Sequence, residues 1–241
     1  MKLIIIRHGD PDYSIDSLTP TGRIEAELLA DRLSELDISA FYTSPLGRAR
    51  HTAEPTLKRL GKEAEVLDWL REFPARIVRH GESEADICWD WLPEVWTKTD
   101  EFYEKDGWLG VPCFAEGGVS EQYEKVTDGL DALLLKHGYA REGRYYRAIR
   151  PNHDTVVLFC HFGLECVLLS HLMGVSPMIL WHSTCAAPTS VTILNTEERR
   201  EGIAYFRMAC FGDVSHLLVA GREPSFAARF CEVYTDNTRH D

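Results

Sequence analysis

Two short apolar runs, Leu3-Ile4-Ile5-Ile6 and Val156-Val157-Leu158-Phe159-Cys160, constrain this chain more than any other feature in it. A strand with no polar alternation must be covered on both faces, as in the interior of a parallel sheet flanked by helices. Each run stops at a histidine, the first in Arg7-His8-Gly9 and the second in His161-Phe162-Gly163. Between them the period changes repeatedly. Thr19 or Thr21 can cap a helix from about residue 20 to 36, with Ile24, Leu28, Leu29, Leu33 and Leu36 at helical spacing. A short strand around Phe41-Tyr42 leads through a Ser44-Pro45 turn into a helix that carries Arg48 and that Gly61 ends. Residues 64–67 read as a strand, residues 163–173 as a helix stopped by Gly174, and strands follow near 190–195 and 203–211. Strands alternating with helices predict a three-layer αβα fold with a largely parallel central sheet.

The region from Phe73 to Gly118 breaks this alternation. It holds Trp89, Trp91, Trp96 and Trp108, four of the six tryptophans, among many acidic residues. It reads as a mainly helical cap inserted, at about 73–118, into a single domain that spans 1–241. Its tryptophans either form the core of a small helical layer or line a pocket for an apolar or aromatic group. The stretch 139–150 interleaves Arg141, Arg144, Arg147 and Arg150 with tyrosines, and Glu142-Gly143 suggests the turn of a β-hairpin whose charged face is solvated.

Composition excludes several functions. The chain has 241 residues and a net charge of −12, which opposes general nucleic-acid binding. Seven cysteines with no regular spacing read as reduced, mostly buried thiols, the usage expected in the cytoplasm. The first apolar run is too short for a secretory signal, and nothing approaches the length of a membrane-spanning helix. No Asp/His ligand set for a metal stands out, so no metal or cofactor is expected.

Ligands of open α/β sheets bind beyond the carboxyl ends of the strands. Arg7, His8 and His161 fall at such ends and Arg48 just after another, so they converge on one positive pocket in an acidic protein. Arginine forks hold two oxygens of a phosphoryl group at once and stay charged. Beside them His8 would remain neutral and able to attack phosphorus, while His161 donates to a phosphoryl oxygen. Alone, His8 or His161 would read as a satisfied core residue and Arg48 as a helix-surface cation; their combination carries the argument.

Together with Tyr42-Thr43-Ser44-Pro45-Leu46-Gly47-Arg48-Ala49, Leu70-Arg71-Glu72 and Leu18-Thr19-Pro20-Thr21-Gly22, these segments resemble the histidine phosphatase superfamily, the phosphoglycerate mutase-like fold. The resemblance covers roughly the first 72 residues and then about 153–220. It implies Glu72 as the proton donor to the leaving group; Glu82, Glu84, Glu116 and Glu121 are competing carboxylates. It also implies Arg7, Arg48, His161, Ser14 and Phe162 as phosphate contacts; apart from the resemblance, Tyr13, Trp89, Trp91, Trp96 and Trp108 are candidates to meet the rest of a small-molecule phosphate ester.

Departures from the family pattern bear on the reaction. The usual Glu-Thr or Glu-Ser after the glycine is Asp10-Pro11 here, and Ser14 stands where asparagine is common. The long Asn- and Trp-containing segment typical of glycolytic mutases is absent before Leu18. Hydrolysis of a phosphate monoester through phosphohistidine is therefore preferred to mutase-type phosphotransfer. A non-catalytic binding protein on this scaffold is preferred less still, because all five chemical positions are filled.

Overall fold

The computed structural model describes residues 1–225. The strand Lys2–Arg7 sends Leu3 and Ile5 into one apolar cluster and Ile4 and Ile6 into another on the opposite face. The strand Thr155–Cys160 does the same, with Val156, Leu158 and Cys160 on the first side and Val157 and Phe159 on the second. Period-two geometry thus turns two wholly apolar runs into the wall between two cores.

In chain order the strands are β1 (Lys2–Arg7), β2 (Pro11–Asp12), β3 (Ser17–Leu18), β4 (Ala40–Thr43), β5 (Glu65–Val66), β6 (Arg76–Ile77) and β7 (Asp86–Ile87). They continue as β8 (Tyr139–Glu142), β9 (Tyr145–Ala148), β10 (Thr155–Cys160), β11 (Val191–Arg200) and β12 (Ile203–Asp213). The helices are α1 (Pro20–Ser34), α2 (Gly47–Leu60), α3 (Pro93–Trp96) and α4 (Pro112–Glu116), then α5 (Val119–Lys136), α6 (Phe162–Met173), α7 (Pro177–Ser183) and α8 (Ser215–Val219).

The main sheet has the order β5-β4-β10-β1-β11-β12-β9-β8. Its first four strands are mutually parallel, and the pairings from β1 outward through β11, β12, β9 and β8 are antiparallel. The expected three-layer architecture is present. Helices α1 and α2 pack on the Ile4/Ile6 face through Leu29, Leu33 and Ala53, while α5 and α6 cover the other. Among the described residues no helix is long and apolar enough to cross a membrane.

Thr19 caps α1, its hydroxyl accepting from the Gly22 amide at 3.0 Å, with Pro20 at the start of the helix. The buried stripe of α1 is Gly22, Glu25, Ala26, Leu29, Ala30 and Leu33, so Ile24 lies off it and is 40% exposed. Glu25 is accommodated there because its carboxylate accepts from the Asp10 amide at 2.8 Å. A side chain on Gly22 would come to 2.3 Å from the Asp10 carbonyl oxygen, so the backbone leaving β1 touches the first turn of α1. The Thr19 hydroxyl closes this joint by donating to Asp10 Oδ2 at 2.5 Å.

Between Phe73 and Gly118 the regular structure consists of α3, α4, 3-10 turns at Asp100–Tyr103 and Gly107–Gly110, and the β6–β7 ladder. Trp108 is fully buried, edge-on to Phe114, Tyr123 and Trp181. Trp91 stacks on Phe114, and Trp96 stacks on His182 of α7. These three rings knit the segment to itself and to α5 and α7. Trp108, offered as a candidate ligand contact, presents no surface to a ligand because aromatic edges enclose it.

Candidate active site

The carboxyl ends of β1, β10 and β4 lie side by side, and the chain leaves each of them carrying a chemical group. The His8 amide donates to the Cys160 carbonyl at 3.0 Å and the Ser44 amide to the Phe159 carbonyl at 2.9 Å, so ladder hydrogen bonding continues into the site. The rings of His8 and His161 stand 5.1 Å apart between centroids. Both are buried, at 2% and 0% exposure, as is Arg7 at 2%.

His8 is fixed by its neighbour: Nδ1 lies 2.8 Å from the Gly9 carbonyl oxygen, which can only accept, so Nδ1 carries the proton and Nε2 keeps its lone pair. Burial, with Arg7 and then Arg48 adding repulsion, holds its pKa well below the ordinary imidazole value. The ring is therefore neutral at pH 7. The same influences, led by burial and followed by His8, Arg48 and Arg7, hold His161 well below its ordinary value.

His161 stands immediately before α6 and places Nε2 2.8 Å from Ser44 Oγ. Ser44 Oγ already accepts from the Leu46 amide at 3.2 Å. When its hydroxyl proton goes to Nε2, the imidazole proton sits on Nδ1, which is buried and has no hydrogen-bond partner among the described residues. That N–H is then available to an incoming oxygen.

Arg7 donates through Nη1 to the Ala186 carbonyl and lies over the Phe162 ring, 5.7 Å from its centroid. Arg48, in the first turn of α2, pairs with Asp16 Oδ1 at 2.7 Å and sits 5.4 Å from the centroid of Tyr13. Asp16 Oδ2 accepts from the Gly47 amide at 2.6 Å, so one carboxylate holds both the helix start and the guanidinium. Burial alone would raise the Asp16 carboxyl; the Gly47 amide and Arg48 outweigh it and leave it below the ordinary range.

Glu72 follows the 3-10 turn Asp68–Leu70 and is tied to the opening of α6. Its Oε1 accepts from the Phe73 amide at 2.9 Å and the Leu164 amide at 3.0 Å. A side chain on Gly163 would lie 2.8 Å from that oxygen and equally close to the Trp89 ring, so a glycine here lets Glu72 and Trp89 meet the helix. Burial raises the Glu72 pKa, against the two amides and the arginines. The competing carboxylates Glu82, Glu84, Glu116 and Glu121 are all exposed.

The other expected contacts divide. Tyr13 is beside Arg48 and 63% exposed, and Trp89 meets Phe162 edge-on at 6.3 Å, so both border the group. Trp91 and Trp96 lie in the aromatic packing of the 73–118 segment. Ser14 corrects its expectation as a phosphate contact: it is exposed, and its amide and hydroxyl both donate to Asp12 Oδ1, at 3.0 and 2.5 Å. The tight turn between β2 and β3 consumes the hydroxyl locally. Ser44 and Asp16 are site residues that the sequence reading passed over. Ser44 was legible only as half of a turn, and Asp16 stands 32 positions from its partner. Among the described residues no group of three His, Cys, Asp or Glu side chains is placed to share a metal ion.

The profile of the histidine phosphatase superfamily (branch 1) matches residues 3–107. A probable phosphatase of Schizosaccharomyces pombe is 28% identical over 90% of this chain and 95% of its own length. Phosphoserine phosphatase 1 of Hydrogenobacter thermophilus is 26% identical over 87% of this chain and 93% of its own. Among solved structures, a phosphoserine phosphatase mutant from Entamoeba histolytica in complex with phosphoserine superposes with a TM-score of 0.61 at 22% identity, covering 90% of this chain and 98% of that one. With paired strand-end histidines, two arginines, a half-buried glutamate and these relatives along nearly its whole length, the chain is similar to phosphatases of the histidine phosphatase superfamily.

Proposed function

We propose that this protein is a phosphatase that hydrolyses a small-molecule phosphate monoester in two steps through a phosphohistidine on His8. The observation that carries the reading is a neutral His8 with Nδ1 anchored on the Gly9 carbonyl, among two arginines and a second neutral histidine.

In the first step His8 Nε2 attacks phosphorus and the ester P–O bond breaks. Glu72, whose carboxyl burial holds protonated to higher pH than usual, gives its proton to the departing oxygen. The Nδ1 proton stays on the ring, held by the Gly9 carbonyl, so the phosphorylated imidazole is cationic and itself a good leaving group. In the second step Glu72, now a carboxylate, takes a proton from water as that water attacks phosphorus. The P–N bond breaks, and His8 returns to its neutral form as inorganic phosphate leaves. Arg7 and Arg48 compensate charge on the peripheral oxygens throughout, and the His161 N–H supplies a further donor. Asp16 orients Arg48 while leaving Nε, which has no partner among the described residues, for a phosphoryl oxygen.

Tyr13 and Trp89 border the entrance and would meet the leaving group. Relatives named as phosphoserine phosphatases, and a structural neighbour named as a glucosyl-3-phosphoglycerate phosphatase (TM-score 0.56, 19% identity), support small phosphorylated metabolites as substrates. The net charge of −12 opposes a nucleic acid as partner, and free cysteines such as Cys88, Cys160 and Cys166 fit the cytoplasm. The test is a panel of phosphoserine, 3-phosphoglycerate, sugar phosphates and an aryl phosphate, assayed with the natural protein and with His8→Ala. Phosphate release from at least one ester, lost in His8→Ala, is expected; equal release by both proteins would overturn the reading.

A further inference from the structure

A second carboxyl group lies behind the site, and the chemistry above leaves it idle. Glu165, in the first turn of α6, is 1% exposed, and neither of its oxygens makes a hydrogen bond of ordinary geometry. Strand register fixes which side chains share the face of the sheet that α6 covers. Arg7 pairs with Cys160 across β1 and β10, and Ile5 pairs with Thr192 across β1 and β11. Ile5 and Cys160 belong to the core on the α6 side of the sheet. Arg7 follows Ile5 by two, so its side chain leaves that same face, as does that of Thr192. Glu165, buried on the helix that covers this face, thus lies within electrostatic reach of Thr192 and of the arginine assigned to the phosphate. The Thr192 hydroxyl accepts from the Gly212 amide at 3.0 Å, and its proton is free to favour the carboxylate form of Glu165.

We propose that Glu165 is a positioning residue for Arg7, and that the protonation state of this buried carboxyl sets how strongly the pocket holds a dianionic oxyanion. When neutral it leaves the full charge of Arg7 to the ligand; when ionised it shares that charge and weakens anion binding. Burial pushes its pKa up to about 7, against Thr192 and Arg7, while Glu72 adds to the rise, so the change falls near neutral pH. The other groups around it do not titrate there. Cys160 of β10 and Cys166 of α6 are raised well above the ordinary thiol value, chiefly by burial, while His8 and His161 are already neutral. Burial raises the pKa of Glu72 as well, so its contribution has to be removed to isolate that of Glu165.

This inference rests on Arg7 being a phosphate contact, and the experiment separates the two. Sulfate, dianionic throughout, is titrated against the Glu72→Gln protein and against Glu72→Gln carrying Glu165→Gln, between pH 6 and 8.5. With Glu165 present, sulfate affinity is expected to fall by about tenfold as pH rises, the equivalent of one pKa unit of coupling. With Glu165→Gln the fall should largely vanish. A purely structural role would change affinity at every pH and leave the slope. Should the double variant not fold, calorimetry of Glu72→Gln alone, in buffers of different ionisation enthalpy at pH 7, measures the protons taken up with sulfate. Uptake is expected because reciprocal linkage requires it. Failure of sulfate to bind at all would remove the phosphate reading itself. Binding with a pH slope unaffected by Glu165→Gln, or without proton uptake, would overturn the role of Glu165 alone.

Discussion

At His8 and Glu72, burial and backbone contacts prepare opposite charge states from ordinary side chains. Burial and two arginines keep the imidazole neutral, while burial keeps the carboxyl protonated further up the pH scale than usual. The proposed acid is present below the raised pKa of Glu72 and lost as pH rises through it. With an alkyl phosphate, the phosphoryl-transfer step should therefore slow on the alkaline side. Glu72→Gln should abolish that dependence and slow alkyl esters by at least roughly 100-fold, the lower end of general acid catalysis. A nitrophenyl ester, whose leaving group needs little protonation, should be spared in the same step. Single-turnover kinetics on both esters check this; equal losses would remove Glu72 from the role.

Among the elements, the joint between β1 and α1 shows how little space separates catalytic backbone from scaffold. Gly22→Ala would bring a methyl carbon to 2.3 Å from the Asp10 carbonyl oxygen, and only backbone can move to relieve it. We expect a loss of about 1–3 kcal/mol, read as a fall in Tm of roughly 2–4 °C per kcal/mol. The apolar runs, the Thr19 cap and the helix ends at Gly61 and Gly174, both left-handed, were legible because each is local chemistry. So were Arg7, His8 and His161, since they end strands that could only be buried. Less was legible where a side chain's role is set across the fold. The buried face of α1 admits Glu25 and turns Ile24 outward, because the Asp10 amide supplies a partner that no periodicity reveals. Ser44 on His161 and Asp16 on Arg48 are contacts of the same kind. Ser14 failed for the converse reason: its own turn satisfied it first.

Across the whole molecule, the Phe73–Gly118 segment joins an aromatic core to the border of the site, and its tryptophans should separate accordingly. Trp108 is enclosed by Phe114, Tyr123 and Trp181, so Trp108→Leu should cost roughly 3 kcal/mol of stability while the ranking of substrates is kept. Trp89 touches Phe162 and the space beside Gly163 and Glu72, so Trp89→Leu should change discrimination between bulky aryl and small alkyl phosphates. Inhibition by inorganic phosphate should stay nearly constant in Trp89→Leu. Thermal melts and a two-ester comparison distinguish the pair; a changed ranking in Trp108→Leu alone would reverse the assignment.

All of this depends on a covalent bond forming between phosphorus and one ring nitrogen of His8. Rapid quenching without acid, after mixing the protein with labelled substrate, should trap a phosphoenzyme that is stable to alkali and labile to acid. Peptide mapping should place the label on His8, and none should form in His8→Ala. Label on another residue, or full turnover by His8→Ala, would contradict the mechanism.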